Sequence, residues 1–519
     1  MPPTRNPNHY DVVVLDYDVV VLGSGFAGSL LAMILAKQGM RVAIVDRSEH
    51  PRFAIGESST PAADFLLEHL VQRYQLDELR PLTRFGSWRE SMPKLVCGCK
   101  RGFSYFWHGG DDGFVAGDDH RDELLVSASE SREMADTQWY RADVDAYFFD
   151  VARKCGVSAW VNTSVKSIDH LADQDWRLCL TKDRGSETLT TSFIVDATGG
   201  NRLLLRELGV PDETESLLTH SSATFSHFDD VRSLSEWLDS RGAKRNDYPF
   251  VVEDSAVHHL FADGWMWNLG FENGRTSVGF VFDESQNSHS SSRAKQRDLN
   301  AVIAERPLLR ELLGDARLAS FPGRVFQTDR LQRLASVAAG SDWAALPFTA
   351  GFIDPLHSTG IAHSISGVQR LSQILLAESG ATRPESLHAY SDAVRSELRL
   401  IDKLVWGCYV GLRDFRLFTA WSMIYFAVAT TFEHAFHDNQ GDASDGNMMG
   451  FLAADQRLVT NCVNELTGEL RSLVERDALE SDGDVDAFVA QIRQTISPLN
   501  RVGLFTPPIA NMYHRTAAK

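Results

Sequence analysis

Asp18-Val19-Val20-Val21-Leu22-Gly23-Ser24-Gly25-Phe26-Ala27-Gly28 sets a run of Val and Leu directly before three glycines at G-x-G-x-x-G spacing. An apolar, β-branched run ended by glycine reads as a buried strand, Asp18 to Leu22. Next, Ser29 to Gly39 carries Leu30, Leu31, Ile34 and Leu35 at helical spacing, and Arg41 to Val45 is a second buried strand. Strand, glycine turn, helix and strand make a βαβ unit of the dinucleotide-binding kind. In such a unit Gly23 permits the tight turn and Gly25 lets a pyrophosphate approach the backbone, with Ala27 beside it. Gly28 lets helix and strand pack closely. The helix N-terminus then faces the phosphates. Asp46 ends the second strand, 18 residues after Gly28, where an acid accepts bonds from ribose hydroxyls.

Upstream, Tyr10-Asp-Val-Val-Val-Leu nearly duplicates Tyr17-Asp-Val-Val-Val-Leu, but only the second copy runs into the glycines. Residues 1–16 therefore read as an N-terminal extension. The remaining boundaries are a first part of the dinucleotide domain at 17–214, an antiparallel, substrate-side sheet at 215–325, a return segment of the dinucleotide domain at 326–375 and a helical region at 376–519. Within the first part, Gly109 to Asp136 is polar and acidic and reads as a surface loop or lid. Tyr140 to Cys155 reads as a helix, and Ser192 to Val195 as a strand entering Asp196-Ala-Thr-Gly-Gly200. Asp283 to Ser292 is a loop rich in Ser, Asn and Gln. The fold class expected is α/β: a Rossmann-type domain, an antiparallel-sheet region and a helical C-terminal region.

At 519 residues the chain is long for one core. Its 51 basic against 70 acidic residues give a net charge of −19, which argues against a nucleic-acid partner. The first ten residues lack the basic-then-apolar order of a signal peptide. The longest uncharged apolar stretch, Phe418 to Phe432, is shorter than the roughly 20 residues a bilayer requires, so no membrane partner is expected. Six scattered cysteines suit a reduced, cytoplasmic protein. Cys97 and Cys99 have no second pair at zinc spacing, so no metal is expected.

Two further segments carry chemistry. Cys97-Gly-Cys-Lys-Arg-Gly-Phe-Ser-Tyr-Phe-Trp-His108 isolates Lys100 in an aromatic, strand-like run. Period-two alternation puts Lys100, Ser104, Phe106 and His108 on one face, with Phe103, Tyr105 and Trp107 on the other. Gly351-Phe-Ile-Asp-Pro-Leu-His-Ser-Thr-Gly360 is the other. On residue chemistry alone, Ser358 or Thr359 is an N-cap there and Asp354-Pro355 a turn.

Asp196 to Gly200 and Gly351 to Asp354 resemble the second and third flavin-contacting motifs of large FAD monooxygenases. That likeness makes FAD the cofactor and places Asp354 near its ribityl or pyrophosphate. No second G-x-G-x-x-G is present for NAD(P)H, so reduced flavin is expected from a separate NAD(P)H-dependent reductase.

Gly23 to Gly28, Pro51-Arg52-Phe53 to Pro61, the lysine-centred run, Gly264-Trp265-Met266-Trp267 and Asp354 to Gly360 together resemble a flavin-dependent halogenase. The branch they resemble acts on free phenols and on aminophenyl-pyrroles such as monodechloroaminopyrrolnitrin. The resemblance implies an aromatic-monooxygenase-like fold in which FADH2 and O2 turn a chloride or bromide ion into hypohalous acid. The oxidant then travels through a tunnel to a lysine, here Lys100. It further implies a halide turn with the backbone N–H groups of Thr359 and Gly360. Cofactor contacts fall on Ser58, with Glu57 beside it in a flavin strap, and on Arg141. Trp265 and Trp267 shape the space between flavin and substrate, and Phe106 and His108 line the tunnel. His357 stands where tryptophan halogenases carry a glutamate that partners the lysine, a difference that argues against tryptophan as substrate. Trp265 to Gly270 lacks the family's proline after the second tryptophan. An FAD-dependent aromatic hydroxylase is the alternative, and it needs neither Lys100 nor the halide turn.

Overall fold

The computed structural model describes residues 14–109, 113–171, 175–182, 185–285, 299–377, 383–439 and 449–516. In chain order the principal strands are β1 (Val14–Leu22), β2 (Val42–Val45), β3 (Cys97–Lys100), β4 (Gly102–Trp107), β5 (Glu123–Ser127), β6 (Asp136–Trp139), β7 (Ser158–Trp160), β8 (Ser164–His170), β9 (Trp176–Lys182), β10 (Gly185–Asp196), β11 (Ser221–Asp229), β12 (Ala256–Phe261), β13 (Gly264–Gly270) and β14 (Thr276–Asp283). The first sheet runs β7-β2-β1-β10-β9-β8, and Trp343–Ala345 adds in parallel to β10. It is parallel from β7 through β10 and antiparallel beyond. A central parallel strand is covered on both faces, which is why Val19 to Leu22 are all apolar and fully buried. The helix Phe26–Lys37 packs against the helices Arg141–Lys154 and Gly360–Ala377 and buries Leu30 to Leu35. Each Leu or Ile so buried contributes about 1.5–3 kcal/mol.

The second sheet runs β11-β14-β13-β12-β4-β5, with Met512–Tyr513 closing the β5 edge. Its pairs are antiparallel except β12 with β4 and β5 with Met512–Tyr513. One face, with Phe103, Tyr105, Trp265 and Trp267, joins the main core. The other, with Phe106, Met266 and Phe280, builds a separate core with Trp237. Strands β3 and β6 form their own antiparallel ladder, in which Lys100 stands opposite Asp136. Helices Arg383–Val410, Phe415–Asn439, Arg457–Glu475 and Asp482–Thr495 make up the C-terminal region.

Three sequence expectations change, and a fourth falls outside the described residues. Strand β1 begins at Val14 and pairs from there with Thr188, so the supposed extension already contributes sheet; residues 1–13 lie outside the described residues. The supposed lid from 109 to 136 holds β5, an interior strand of the second sheet. Its Leu124-Leu125-Val126 core is fully buried yet short, and acidic flanks mask it in the sequence. Strand β10 is 12 residues long rather than four, because its polar first half pairs antiparallel with β9. Of the Ser-, Asn- and Gln-rich loop, Ser285 is the last described residue before 299.

Among the described residues no helix is long and apolar enough to cross a membrane. No group of three or more His, Cys, Asp or Glu among them is placed to hold a metal. All six cysteines are free thiols.

Candidate functional site

A cleft of about 880 Å³ opens between the glycine turn, the 52–58 loop, the start of the 360–377 helix and the inner face of the second sheet. The three glycines divide the work. A Cβ at Gly23 (φ +105°) would lie 2.5 Å from Ala197 O, and one at Gly28 would lie 2.3 Å from Gly23 O. Both are needed for close packing. At Gly25 the nearest atom to an added Cβ is Asp145 Oδ2 at 3.7 Å, and that side of the turn faces the cleft.

Asp46 lines the cleft next to the turn. Its Oδ2 accepts from Ser24 N (2.9 Å), Ser24 Oγ (2.7 Å) and Arg52 (3.1 Å), and its Oδ1 from Ser48 N (2.9 Å). Burial alone would raise its pKa, but Arg52 and these N–H groups hold it below the ordinary value, so it stays ionised. Arg141 grips both oxygens of Asp145 at 2.8 and 2.9 Å and donates to Ile55 O and Gly56 O, pinning the 52–58 loop. In that loop Glu57 Oε1 pairs with His227 Nε2 at 2.7 Å, while Glu57 Oε2 is buried without a partner. A glycine cradle open on one side, a fixed carboxylate, a helix start and a buried unpaired acceptor suit FAD. Gly25, Ala27, Asp46, Ser58 and Arg141 would hold it.

The turn before the 360–377 helix forms the cleft's inner end. Asp354 Oδ1 accepts from Leu356 N (3.0 Å), and Oδ2 from Tyr409 (2.7 Å) and Ser221 (3.0 Å). Its carboxyl is pushed up to about 6 by burial, against the pull of Tyr409, Leu356 and Ser221. Pro355 faces the cleft, whereas Asp354 is turned inward and sets the turn. Ser358 takes φ +53°, and its Oγ donates to Ser58 Oγ at 3.0 Å, tying the turn to the 52–58 loop. Such a left-handed residue costs roughly 1–2 kcal/mol, a strain the flanking bonds support. An added Cβ at Gly360 would meet nothing within 4 Å. The first amides of a helix lack intrahelical acceptors, so Thr359 and Gly360 suit a small anion.

Lys100 is fully buried. Its Nζ donates to Ser59 O at 2.5 Å and stands 4.0 Å from the Phe103 ring. Phe103 stacks on His258 at 6.0 Å, and His258 lines the cleft. Phe103 also borders a second cavity of about 30 Å³, together with Thr60, Tyr425, Phe426 and Glu433. Lys100 thus sits behind the cleft wall, with Phe103 and then His258 between it and the cleft, and Phe103 alone between it and the second cavity. Burial pushes its ammonium down to about 7, opposed by Asp136 and then Asp64.

The structure gathers Gly23, Gly25, Ala27, Gly28, Asp46, Ser58, Arg141, Trp265, Trp267 and Gly360 around the cleft. Trp265 and Trp267 stand 6.0 Å apart, and their indole N–H groups donate to Tyr409 and Ser277. Phe106 and His108 lie elsewhere. His108 bonds His259 at 3.1 Å, and both residues pack with Phe114 in the second core. The expected face assignment fails because Arg101 belongs to neither β3 nor β4. The alternation slips there by one, which puts Lys100 with Phe103 and Tyr105. His357 stacks flat on Tyr425 at 4.1 Å with Nε2 3.6 Å from Cys408 Sγ; burial, reinforced by Lys100, pushes its imidazole down to about 3. His258 was missed, although the His258-His259 pair in an alternating strand signals one imidazole on each face. Asp136 and Ser59 carried no readable signal, since their roles arise from strand pairing.

The family model described as Tryptophan halogenase matches residues 137–411, and one described as FAD binding domain matches residues 16–55. Tetracycline 7-halogenase of Kitasatospora aureofaciens is 29% identical over 367 residues, 70% of this chain and 63% of that protein. Monodechloroaminopyrrolnitrin halogenase PrnC of Pseudomonas fluorescens is 28% identical over 482 residues, 88% of this chain and 81% of that one. The crystal structure of halogenase PltM superposes with a TM-score of 0.80 at 25% identity, covering 93% of this chain and 96% of PltM. The fold is that of flavin halogenases: an FAD-binding, mixed α/β domain with a helical C-terminal region.

Proposed function

The chain belongs to the tryptophan halogenase family, and from that premise we propose that it is an FAD-dependent halogenase acting on a free, electron-rich aromatic, a phenol or pyrrole-type compound. The observation that carries this reading is Lys100, buried behind the stacked Phe103 and His258 rings of the cofactor cleft and one ring away from a second cavity.

Bound in the cleft, reduced FAD with O2 supplies the two-electron oxidation of chloride or bromide to hypohalous acid. A separate NAD(P)H-dependent reductase supplies the reduced flavin. Thr359 and Gly360 N–H groups hold the halide at the start of a helix, where the backbone dipoles favour an anion. Trp265, Trp267 and His258 wall the cleft, and His258 stacks on the Phe103 ring that covers Lys100. Of the three N–H donors on a Lys100 ammonium, one is committed to Ser59 O. The others have no acceptor among the described residues and bond the oxygen of hypohalous acid, polarising its O–halogen bond. The ring carbon takes the halogen as that bond breaks, and the ring proton leaves with the released hydroxide as water. His357 and His258, both pushed down to about 3, stay neutral near pH 7 and do not compete for the oxidant's proton. A phenol or pyrrole suits a modestly activated oxidant, and His357 in place of an acid disfavours tryptophan.

The test is mass spectrometry of phenols, aminophenyl-pyrroles and tryptophan incubated with the protein, FAD, a flavin reductase, NADH and chloride or bromide. Halogen isotope patterns on phenols or pyrroles, absent from tryptophan, are expected. A halide-independent product heavier by one oxygen would indicate a hydroxylase instead.

A further inference from the structure

We propose that Asp136 is the counter-charge that keeps Lys100 an ammonium ion, which makes Asp136 a positioning residue that acts on the reaction through Lys100. The assignment rests on the reading of Lys100 as the residue that handles the oxidant. It begins with the ladder: Lys100 and Asp136 are direct cross-strand partners in the two-stranded β3–β6 sheet. Directly opposed residues share a face, with Cβ atoms about 4.5–5.5 Å apart. Both are buried, Lys100 completely and Asp136 to 2% exposure. A buried ammonium is costly unless a carboxylate compensates it.

The groups that face Lys100 from the surrounding elements narrow the choice. Ser59, from the 52–58 strap's continuation, offers only a carbonyl. His258 on β12 and His357 before the 360–377 helix feel the lysine's charge but stay neutral, because burial pushes both down to about 3. Two carboxylates remain, Asp136 on β6 and Asp64, and both pull the Lys100 proton tighter, Asp136 the more strongly. Asp64 lies in the first turn of the helix Pro61–Tyr74, where the free amides and the helix dipole already favour a negative charge.

No ion pair within 4 Å joins Lys100 to either acid among the described residues, so the lysine keeps donors available while its charge is balanced from across the ladder. That arrangement differs from a closed salt bridge. A closed pair would occupy the N–H groups that the oxidant needs.

The chain has ten lysines, few enough for direct observation of one side chain. The FAD-loaded full chain, labelled with 15N and 13C at lysine, is titrated by NMR as wild type, Asp136→Asn, Asp136→Glu and Asp64→Asn. The Lys100 signal is assigned by its loss in Lys100→Met. Asp136→Asn is expected to lower the Lys100 pKa by at least about one pH unit, Asp136→Glu to restore it, and Asp64→Asn to move it less. The basic limb of the halogenation pH–rate profile is expected to move to lower pH by the same amount, a loss of roughly eight-fold at pH 7.5 if the pKa falls from about 7 to about 6. An unchanged Lys100 pKa in Asp136→Asn, a larger shift in Asp64→Asn, or a rate that does not follow the titration would overturn the assignment. Absence of halogenation in the wild type would instead remove the functional reading, and the titration alone would then decide the pairing.

Discussion

Lys100→Met keeps the length of the side chain and deletes its charge. Burial pushes the Lys100 ammonium down from its ordinary 10.5 to about 7, even with Asp136 and Asp64 pulling the other way. A lysine that holds its proton more weakly when folded costs stability wherever the unfolded chain is protonated. Below about pH 7 both states are charged and the cost is complete. Between about 7 and 10.5 the folded lysine is neutral while the unfolded one still binds a proton, so stability rises with pH; above 10.5 the cost is gone. At about 1.36 kcal/mol per pH unit, the gap between the two values is about 5 kcal/mol at pH 6 and about 1 kcal/mol at pH 10. Lys100→Met is therefore expected to unfold later than the wild type at pH 6, and the advantage is expected to shrink by roughly 4 kcal/mol by pH 10. The lost bond to Ser59 O and any repacking do not depend on pH, so the slope of the difference isolates the buried charge. Chemical denaturation of both proteins from pH 6 to 10 measures it. A difference that stays constant across that range would refute the claim that this lysine is held away from water.

Three other outcomes follow from the geometry. Gly28→Ala forces a Cβ to 2.3 Å from Gly23 O and is expected to unfold the glycine turn, whereas Gly25→Ala meets only Asp145 Oδ2 at 3.7 Å. Gly25→Ala should fold with near wild-type melting but bind FAD at least about ten-fold more weakly, about 1.4 kcal/mol, in a fluorescence titration. Glu397 is fully buried between Arg370 (2.7 and 2.8 Å) and His363 (2.9 Å), and also accepts from Phe451 N. Removing its charge in Glu397→Gln strands the guanidinium and is expected to cost about 3–5 kcal/mol in denaturation experiments. His357, stacked on Tyr425 and pushed down to about 3 by burial, does not titrate near neutral pH. His357→Phe should therefore leave both limbs of the pH–rate profile in place, and a limb that vanishes would assign His357 a proton-transfer role.

The strand, glycine turn and helix are legible because local chemistry specifies them. Val19 to Leu22 need burial on both faces, and Gly23 and Gly28 sit where any Cβ would clash. Asp46 and Arg141 are legible for the same reason, each fixed by neighbours close in sequence or by one loop. Legibility ends where pairing partners are remote. Strand β5 hides between acidic flanks, and its place is set by Gly102 to Phe106 on one side and Met512–Tyr513 on the other. The face of Lys100 depends on Arg101, whose N–H bonds Asp254 O instead of continuing the strand. Asp354 reads as a cofactor residue by motif, yet its carboxylate is satisfied by Tyr409, 55 residues away, and by Ser221. Burial of a polar side chain is a property of the assembled fold, and no local pattern announces it.

The central claim is that hypohalous acid forms in the FAD cleft and acts at Lys100. The most direct measurement is Lys100→Ala with FAD, a flavin reductase, NADH and bromide, recording oxygen uptake and brominated product side by side. Oxygen uptake within about two-fold of wild type, with bromination of a phenol reduced by at least about 100-fold, is the result expected if the lysine acts after the oxidant is made. Bromination at the wild-type rate in Lys100→Ala would contradict it.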